Sequence, residues 1–195
     1  MAHIRERNNF IKRTLLNTYV PKGSKVLDIG CGQGGDLHKW RHLGVELTGV
    51  DPNKWAIEEA KRRSKGYGTF LVGDILSAPL EQYDVICYNF SLQYQSLDLF
   101  SEIVKRLKKP NGIIIGVVTD QTLLGNGKED GIEIQNIDDE YIKVYIPDTP
   151  YYANGPVMEP ILNKNKLFQE VMKNDMEIVL WETFSIYAKF VFRYK

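Results

Sequence analysis

The chain has 195 residues, a length that favours one domain. Its 25 Lys and Arg residues balance 25 Asp and Glu residues, so an overall excess of positive charge is excluded as a means of binding nucleic acid, and a local patch would be needed. A composition of 43% hydrophobic and 26% charged residues excludes a disordered chain. Two cysteines, Cys31 and Cys87, argue against a disulfide framework and for a reducing compartment.

Strands and helices alternate over the first 120 residues. Because strands that alternate with helices are joined by right-handed crossovers, the pattern predicts an α/β fold with a mainly parallel sheet. No apolar run reaches the ~20 residues of a membrane span, and we expect no secretory signal. The predicted helices are 4–20, 36–42, 53–64 and 97–107, and the predicted strands are 25–29, 45–50, 69–72, 83–89 and 113–118.

After residue 120 the pattern changes. A polar loop is predicted at 125–131, a hairpin at 132–146 and a turn-rich stretch at 147–160, followed by a helix at 166–173 and strands at 178–181 and 185–193. We interpret this half as an addition to one α/β domain, since no repeat or low-complexity linker separates it.

The sharpest motif is Val-Leu-Asp-Ile-Gly-Cys-Gly-Gln-Gly-Gly-Asp at 26–36, at the end of a strand and the start of a helix. Gly30 and Gly32 would let the backbone turn tightly beside a ligand. Dinucleotide enzymes use a related turn, but Asp28 would repel a pyrophosphate and attract a cationic sulfonium or amino group. The pattern D-x-G-x-G-x-G is that of S-adenosylmethionine-dependent methyltransferases.

Two further acids follow the next strands. Asp51 ends the second strand, where a carboxylate can accept hydrogen bonds from two ribose hydroxyls, and Asp74 follows the third, where such enzymes hold the adenine amino group. Each acid alone would fit a solvated loop or a helix cap. Three acids at successive strand ends, together with the glycines, predict S-adenosylmethionine as the cofactor.

Beyond the glycines, residues 34–40 read GGDLHKW and residues 8–12 read NNFIK. These segments are similar to the G-G-D-L-x-K-W and N-N-[WFY]-[IVM]-K motifs of the messenger RNA cap guanine-N7 methyltransferases, a family that the chain resembles. Residues 89–94, 158–162 and 185–192 resemble its Q-F-x-x-H-Y, P-E-F-L and closing-strand segments. The resemblance implies a Rossmann-like class I methyltransferase fold, with a mainly parallel seven-stranded sheet and a substrate lid after the fifth strand.

That resemblance also implies a division of the single domain. An N-terminal helix (1–24) would contact cap and cofactor, 25–120 would form the cofactor-binding core, 121–175 the substrate lid and 176–195 the closing strands. The cofactor-binding residues would be Lys12, Asp28, Gly30, Gly32, Asp51, Asp74, Asn89 and Tyr94. The cap-binding residues would be Asn8, Asn9, Gln33, Lys39, Arg63, Gln93, Glu159 and Tyr187.

Within the cap-binding set, Glu159 would bind the guanine edge, Tyr187 would cover the ring, and Lys39 and Arg63 are candidates for the triphosphate. Guanine N7 has a free lone pair, so we predict catalysis by positioning and electrostatics, without a general acid, base or nucleophile. His38 and His42 lie four residues apart without an evident third ligand, so no metal is expected.

Some positions depart from the family pattern. Gln33 replaces a lysine, Gln93 replaces a histidine and Asn89 replaces a glutamine, while the stretch between the last two strands is almost absent. This compactness suggests a viral or otherwise reduced member. The expected localisation is intracellular: the nucleus for a cellular eukaryotic protein, and the host cytoplasm or virion for a viral one.

Capped RNA is the expected partner, with capping-enzyme domains or a capping subunit beside it and no membrane. Two other functions stay open. One is a small-molecule methyltransferase that shares the core but not the cap pocket. The other is a non-catalytic subunit of a capping complex, which Gln33 and Gln93 keep open. An amino-methylating nucleic-acid enzyme is disfavoured, because the fourth strand ends in Asn-Phe-Ser-Leu.

Overall fold

A computed structural model describes residues 2–129, 131–147 and 152–195 of the chain. The strands of its main sheet are β1 (Lys25–Ile29), β2 (Glu46–Asp51), β3 (Thr69–Val72), β4 (Val85–Asn89), β5 (Ile113–Thr119), β10 (Met176–Phe184) and β11 (Tyr187–Tyr194). In the described part of the chain these seven strands have the order β10–β11–β5–β4–β1–β2–β3. β1 to β5 are parallel and β11 is antiparallel to both neighbours, which confirms the predicted mainly parallel sheet.

Both faces of the sheet are covered, as expected for parallel strands. All seven residues of β5 are buried, and alternate residues of the central strands enter two separate apolar cores. One core contains side chains of α1 (Ala2–Tyr19), α2 (Leu37–Leu43) and α3 (Lys54–Ser64), and the other contains side chains of α4 (Phe100–Lys105) and α5 (Lys164–Lys173). Within the described ranges, every helix is too short or too polar to cross a lipid bilayer.

A smaller antiparallel sheet lies between β5 and α5 in the chain. It consists of β6 (Gly127–Glu129), β7 (Ile132–Asn136), β8 (Tyr141–Tyr145) and β9 (Val157–Pro160). Its apolar face, which includes Ile132, Ile142 and Val144, joins the core that contains residues of α1. β9 also packs against a 3-10 turn, Leu92–Tyr94, just after β4. The small sheet is therefore held beside the carboxyl ends of the main strands.

Several predicted elements differ in the structure. The predicted loop 125–131 contains β6, and the turn-rich stretch 147–160 contains β9, while residues 148–151 of that stretch lie outside the described residues. The predicted helix 97–107 divides into a 3-10 turn (Leu97–Leu99) and α4. The helix predicted from 166 begins at Lys164, because the side chain of Asn163 accepts a hydrogen bond from the backbone N–H of Lys166.

A substitution at Gly116 would measure how tightly the parallel strands are packed. It lies in the middle of β5 opposite Tyr88 of β4, and an added Cβ would lie 1.9 Å from the Tyr88 carbonyl oxygen. We expect Gly116→Ala to lower the free energy of unfolding by roughly 1–3 kcal/mol or more, because backbone must move. Gly35→Ala is the control, since its Cβ would meet nothing within 4 Å. Equal denaturant midpoints for the two variants would contradict this packing.

Candidate functional site

The glycine-rich turn after β1 is fixed by Asp51 at the end of β2. Gly30 and Gly32 have φ angles of +73° and +53°, which favour glycine, and a Cβ on Gly30 would lie 2.4 Å from that of Ser91. Asp51 Oδ2 accepts a hydrogen bond from the Gly32 N–H at 2.8 Å, and Oδ1 accepts one from the Asn53 N–H at 2.9 Å. The turn therefore lies at the carboxyl edge of the sheet, where open α/β folds bind ligands.

Asp28 is a buried acid just beneath this turn. Its Oδ2 accepts a hydrogen bond from Trp40 Nε1 of α2 at 3.0 Å, and the residue is only 6% exposed. Burial, together with the negative charge of Asp36, raises the pKa of Asp28 to about 7. At neutral pH its charge therefore depends on what binds beside it, and a cation would favour the ionised form.

Asp36 has the opposite environment. Its carboxylate accepts hydrogen bonds from Lys12 Nζ of α1 at 2.9 Å, Lys39 Nζ of α2 at 2.5 Å and Asn89 Nδ2 of β4 at 3.0 Å. Burial alone would raise the pKa of Asp36, but Lys12 and Lys39 outweigh it and lower the pKa to about 2. The Lys39 ammonium also donates to Asn9 Oδ1 at 3.2 Å. Two helices and a strand thus meet at one carboxylate.

A second group forms around Glu159 on β9. Glu159 is 6% exposed, and its Oε1 accepts a hydrogen bond from the Tyr152 hydroxyl at 2.6 Å. The side chain of Gln93, whose Nε2 donates to the Phe90 carbonyl oxygen at 3.3 Å, also lies close enough to lower the pKa of this carboxylate. Burial raises the pKa of Glu159, whereas Tyr152 and Gln93 oppose that rise.

Tyr187 joins this group from β11. Burial, followed by the negative charge of Glu159, raises the pKa of its hydroxyl, and the nearby side chain of Asn8 opposes that rise. Its ring meets the Phe90 ring edge-on, with centroids 5.0 Å apart, and Lys12 Nζ lies 5.7 Å from the centroid of Phe90. We name the connected residues Asn8, Gln93, Tyr152, Glu159 and Tyr187 the Glu159 cluster.

The other predicted site residues are not members of the Glu159 cluster. Arg63 is exposed and bonds to Glu59 at 2.7 Å and to Gln33 Oε1 at 3.2 Å, so Gln33 and Arg63 form a separate surface group. Asp74 is exposed and accepts backbone N–H bonds from Leu76 and Ser77, and Tyr94 is half-exposed.

Lys39 differs from the usual surface cation. It is only 3% exposed, and its ammonium is already paired with Asp36 and Asn9. Its charge therefore acts first on those two neighbours, and contact with a triphosphate stays a prediction.

Two residues of the site were not identified from the sequence. Asp36 could have been predicted, because it lies in the glycine-rich segment three residues before Lys39, and oppositely charged side chains at this spacing on a helix form pairs. No sequence pattern indicated Tyr152, because its contact with Glu159 depends on how the turn-rich stretch folds back onto β9. Across the described ranges, no three His, Cys, Asp or Glu side chains are grouped so as to hold a metal.

Comparison with known proteins identifies the family. Residues 21–167 match the family model described as "Methyltransferase domain". The chain belongs to this methyltransferase family. The reaction class is therefore methyl transfer, and the turn at Gly30 and Gly32 lies within the matched segment.

Individual relatives agree with this assignment, and solved structures share the fold. The mRNA cap guanine-N(7) methyltransferase of Cryptococcus neoformans is 31% identical over 146 residues, which cover 62% of this chain and 23% of that protein. The chain thus spans about a quarter of that relative's length. The PH0226 protein of Pyrococcus horikoshii OT3 has a TM-score of 0.74 at 23% identity, with coverage of 98% of this chain and 91% of its own.

The same fold occurs with a ligand in one solved neighbour. The glycopeptide N-methyltransferase MtfA, complexed with S-adenosyl-L-methionine, has a TM-score of 0.67 at 12% identity, with coverage of 94% of this chain and 92% of MtfA. At such identities the two structural likenesses show the fold alone.

The pKa of Asp28 predicts a pH-dependent stability. The pKa of Asp28 is about 7 in the folded protein, against 3.8 for an ordinary aspartate carboxyl. Ionisation of Asp28 therefore destabilises the fold: the effect is small near pH 4, grows as the pH rises and is complete above pH 7. Asp28→Asn should therefore stabilise the protein increasingly with pH, by at most about 4 kcal/mol at pH 8. Denaturant unfolding at several pH values measures this. The exposed Asp139→Asn is the control, and a pH-independent gain for Asp28→Asn would contradict the prediction.

Proposed function

We propose that this protein transfers a methyl group from S-adenosylmethionine to N7 of the guanosine cap of RNA. Family membership supports the methyl transfer, and a solved structure of the same fold holds S-adenosyl-L-methionine. The observation that carries the cap assignment is the Glu159 cluster, a buried carboxylate that a tyrosine and a glutamine hold beside the cofactor edge of the sheet. Similarity to an mRNA cap guanine-N(7) methyltransferase supports the same substrate.

The residues of the glycine turn fit the cofactor. Space is open beside Gly32, where a Cβ would meet nothing within 4 Å, so a ligand can approach the backbone. Asp28 would attract a cationic amino or sulfonium group, and Asp51, at the end of β2, would accept hydrogen bonds from the ribose hydroxyls. When bound, S-adenosylmethionine supplies the methyl group as an electrophile on its sulfonium. Asp74 lies at the next strand end, on the side proposed for the adenine amino group.

Glu159 would select guanine through its edge. Guanine presents two N–H donors, at N1 and N2, and a carboxylate has enough lone-pair sites to accept both while one oxygen also accepts from Tyr152. Adenine cannot present this pair of donors, so a buried carboxylate discriminates against it. Tyr152 and Gln93 hold the carboxylate in one orientation, which reduces the ordering needed when the base binds.

Proton transfer from N7 is not needed, because its lone pair is free at neutral pH. The protein would then contribute positioning, an effect that can lower a barrier by roughly 7–11 kcal/mol. The methylated base is cationic, and the aromatic ring of Tyr187 in the Glu159 cluster, together with the adjacent ring of Phe90, would interact favourably with it. The negative charge of Glu159 would also favour the cationic product.

One assay tests this proposal directly. The protein is incubated with methyl-labelled S-adenosylmethionine and guanosine-capped RNA, the RNA is digested, and the methylated nucleoside is identified. We expect 7-methylguanosine from the cap and little product from an adenosine-capped RNA. Equal methylation of both caps would contradict a guanine-selective pocket, and label only in added small metabolites would favour a metabolite methyltransferase.

Glu159→Ala should remove most N7 methylation. Leaving the guanine N–H groups unpaired costs about 1–3 kcal/mol, which corresponds to a loss of roughly 5- to 150-fold in kcat/KM. Affinity for S-adenosylmethionine, measured by calorimetry, should stay unchanged because the cofactor residues are separate. The control is Glu133→Ala, an exposed acid on β7 of the same small sheet. Wild-type turnover in Glu159→Ala would place the guanine site elsewhere.

Tyr152→Phe tests the positioning of that carboxylate. Its hydroxyl opposes the rise in the pKa of Glu159, so without it the pKa should rise further and the acid limb of the kcat/KM profile should move to higher pH. KM for capped RNA should rise several-fold with little change in kcat. The control is Tyr141→Phe, an exposed tyrosine on β8. A uniform loss of activity without a pH shift would indicate a structural role only.

A further inference from the structure

The charges of this electrically neutral chain are unevenly distributed. The first 43 residues contain eight Lys and Arg residues and three acids, so the rest of the chain carries a net charge of −5. α1 contains four cationic residues and one acid, Glu6, and α2 contains two cationic residues and no acid. A local positive patch, which net charge alone does not reveal, is therefore located on these two helices.

Two of these cationic side chains, Arg5 and Arg13, are exposed on one face of α1. Arg5, Asn9 and Arg13 are four residues apart on α1, a spacing that places side chains on one face of a helix. Asn9, between the two arginines, accepts a hydrogen bond from Lys39 of α2. The neighbouring His38 is exposed, and its pKa is lowered by partial burial and then by the positive charges of Lys39, Arg13 and Lys12 against the opposing effect of Asp36. We name Arg5, Arg13 and His38 the α1–α2 stripe.

Exposed cations elsewhere on the protein are commonly neutralised by a nearby acid. Examples are Lys61 with Glu58, Arg62 with Glu59, Lys105 with Glu102, Lys166 with Asp98 and Arg193 with Glu177. By contrast, none of the ion pairs among residues 2–129, 131–147 and 152–195 includes Arg5 or Arg13, and both are exposed. Asp36, the nearby acid, is already shared by Lys12 and Lys39. The stripe is therefore a surface with positive charge in excess.

We propose that the α1–α2 stripe binds the phosphate backbone of the RNA that follows the cap. This inference rests on the proposed function, since it takes capped RNA as the substrate. Asn9 lies between the two arginines of the stripe on α1 and follows Asn8 of the Glu159 cluster, so RNA that leaves the guanine pocket along α1 would meet the stripe. Exposed arginines without a carboxylate partner suit phosphate contacts, which position nucleic acid without reading its sequence.

The stripe predicts a short contact. From Arg5 to Arg13 the helix rises about 12 Å, so the contact involves only the first few nucleotides. Two arginines that each neutralise one phosphate of a single strand give a salt slope of about −1.4 in log affinity against log salt concentration. An extended RNA groove would give a much steeper slope that grows with RNA length.

The experiment compares two RNA ligands and two double variants. Binding of a fluorescent, guanosine-capped 12-nucleotide RNA and of a capped dinucleotide is measured by anisotropy at low and moderate salt. For Arg5→Ala with Arg13→Ala, we expect the 12-nucleotide RNA to bind roughly tenfold more weakly, with its salt slope reduced by about 1.4, and the dinucleotide to bind unchanged. The control double variant, Arg62→Ala with Arg193→Ala, removes two exposed arginines that are already paired.

Each other outcome overturns the proposal. If the Arg5→Ala, Arg13→Ala variant binds the 12-nucleotide RNA as tightly as the native protein does, the stripe does not contact the RNA. If both ligands bind equally more weakly, the arginines belong to the cap pocket. Competition by an acidic peptide as strong as that by uncapped RNA would make the stripe a protein-binding surface. A variant with both arginines changed to lysine should retain most of the binding, which separates lost charge from misfolding.

The two proposals fail independently. The anisotropy measurement needs no methylation, so a protein that binds RNA through the stripe but forms no 7-methylguanosine would contradict only the proposed function. A protein that methylates the dinucleotide and the 12-nucleotide RNA with the same KM, and keeps that equality in the arginine variant, would contradict only the stripe.

Discussion

The rest of the site depends on one buried carboxylate, that of Asp36. It joins Lys12 of α1, Lys39 of α2 and Asn89 of β4, and the side chains of the two paired lysines are 14% and 2% exposed. Breaking a buried pair of this kind typically costs about 3–5 kcal/mol, whereas exposed pairs such as Lys166 with Asp98 contribute about 0–1 kcal/mol. The position of α1 on the core is therefore fixed by this charge network in addition to its apolar side chains.

The same network creates the difference between the two acids beside the glycine turn. Asp36 stays ionised because two ammonium groups face it, while Asp28 has a single Trp40 N–H bond, is buried, and is repelled by Asp36. Neighbouring titratable groups with pKa values pushed apart are typical of functional sites. Asp28 thus destabilises the fold at neutral pH, and this cost is offset only when a cation binds beside it. The same unpaired negative charge on Asp28 that lowers the stability of the fold would increase its affinity for a cationic ligand.

The sequence was most informative where local pattern and long-range packing agree. The parallel strands, the helix at 53–64 and the acids at the strand ends were all visible, because each follows from apolar runs or motif spacing. β6 and β9 were not visible, since strands of three or four residues depend on pairing with β7 and β8 rather than on their own composition. The helix predicted to residue 107 ends early, where the buried Arg106 bonds to the carbonyl oxygen of Ala78.

The site shows the same division. Asp28, Asp51, Glu159 and Tyr187 were predicted as binding residues, and the structure places Glu159 and Tyr187 in one cluster. The contacts that orient them were not predictable, because the Lys12–Asp36 bond joins residues 24 apart and the Tyr152–Glu159 bond crosses a turn. The type and spacing of residues indicate the chemistry that a side chain can perform. The partners that tune it follow only from the tertiary fold.

α1 connects the two surfaces that the proposals require. Successive helical residues point about 100° apart, so Asn8 and Asn9 face different neighbours. Asn8 lies near the Tyr187 hydroxyl in the Glu159 cluster, and Asn9 bonds to Lys39 in the Asp36 network. A rotation of α1 that disturbed either contact would disturb the other. Under the two proposals, binding of guanine at the cluster would therefore require the same helix orientation that keeps Asn9 bonded to Lys39 and Arg13 near His38 of α2, so that one element would position both the base and the RNA backbone.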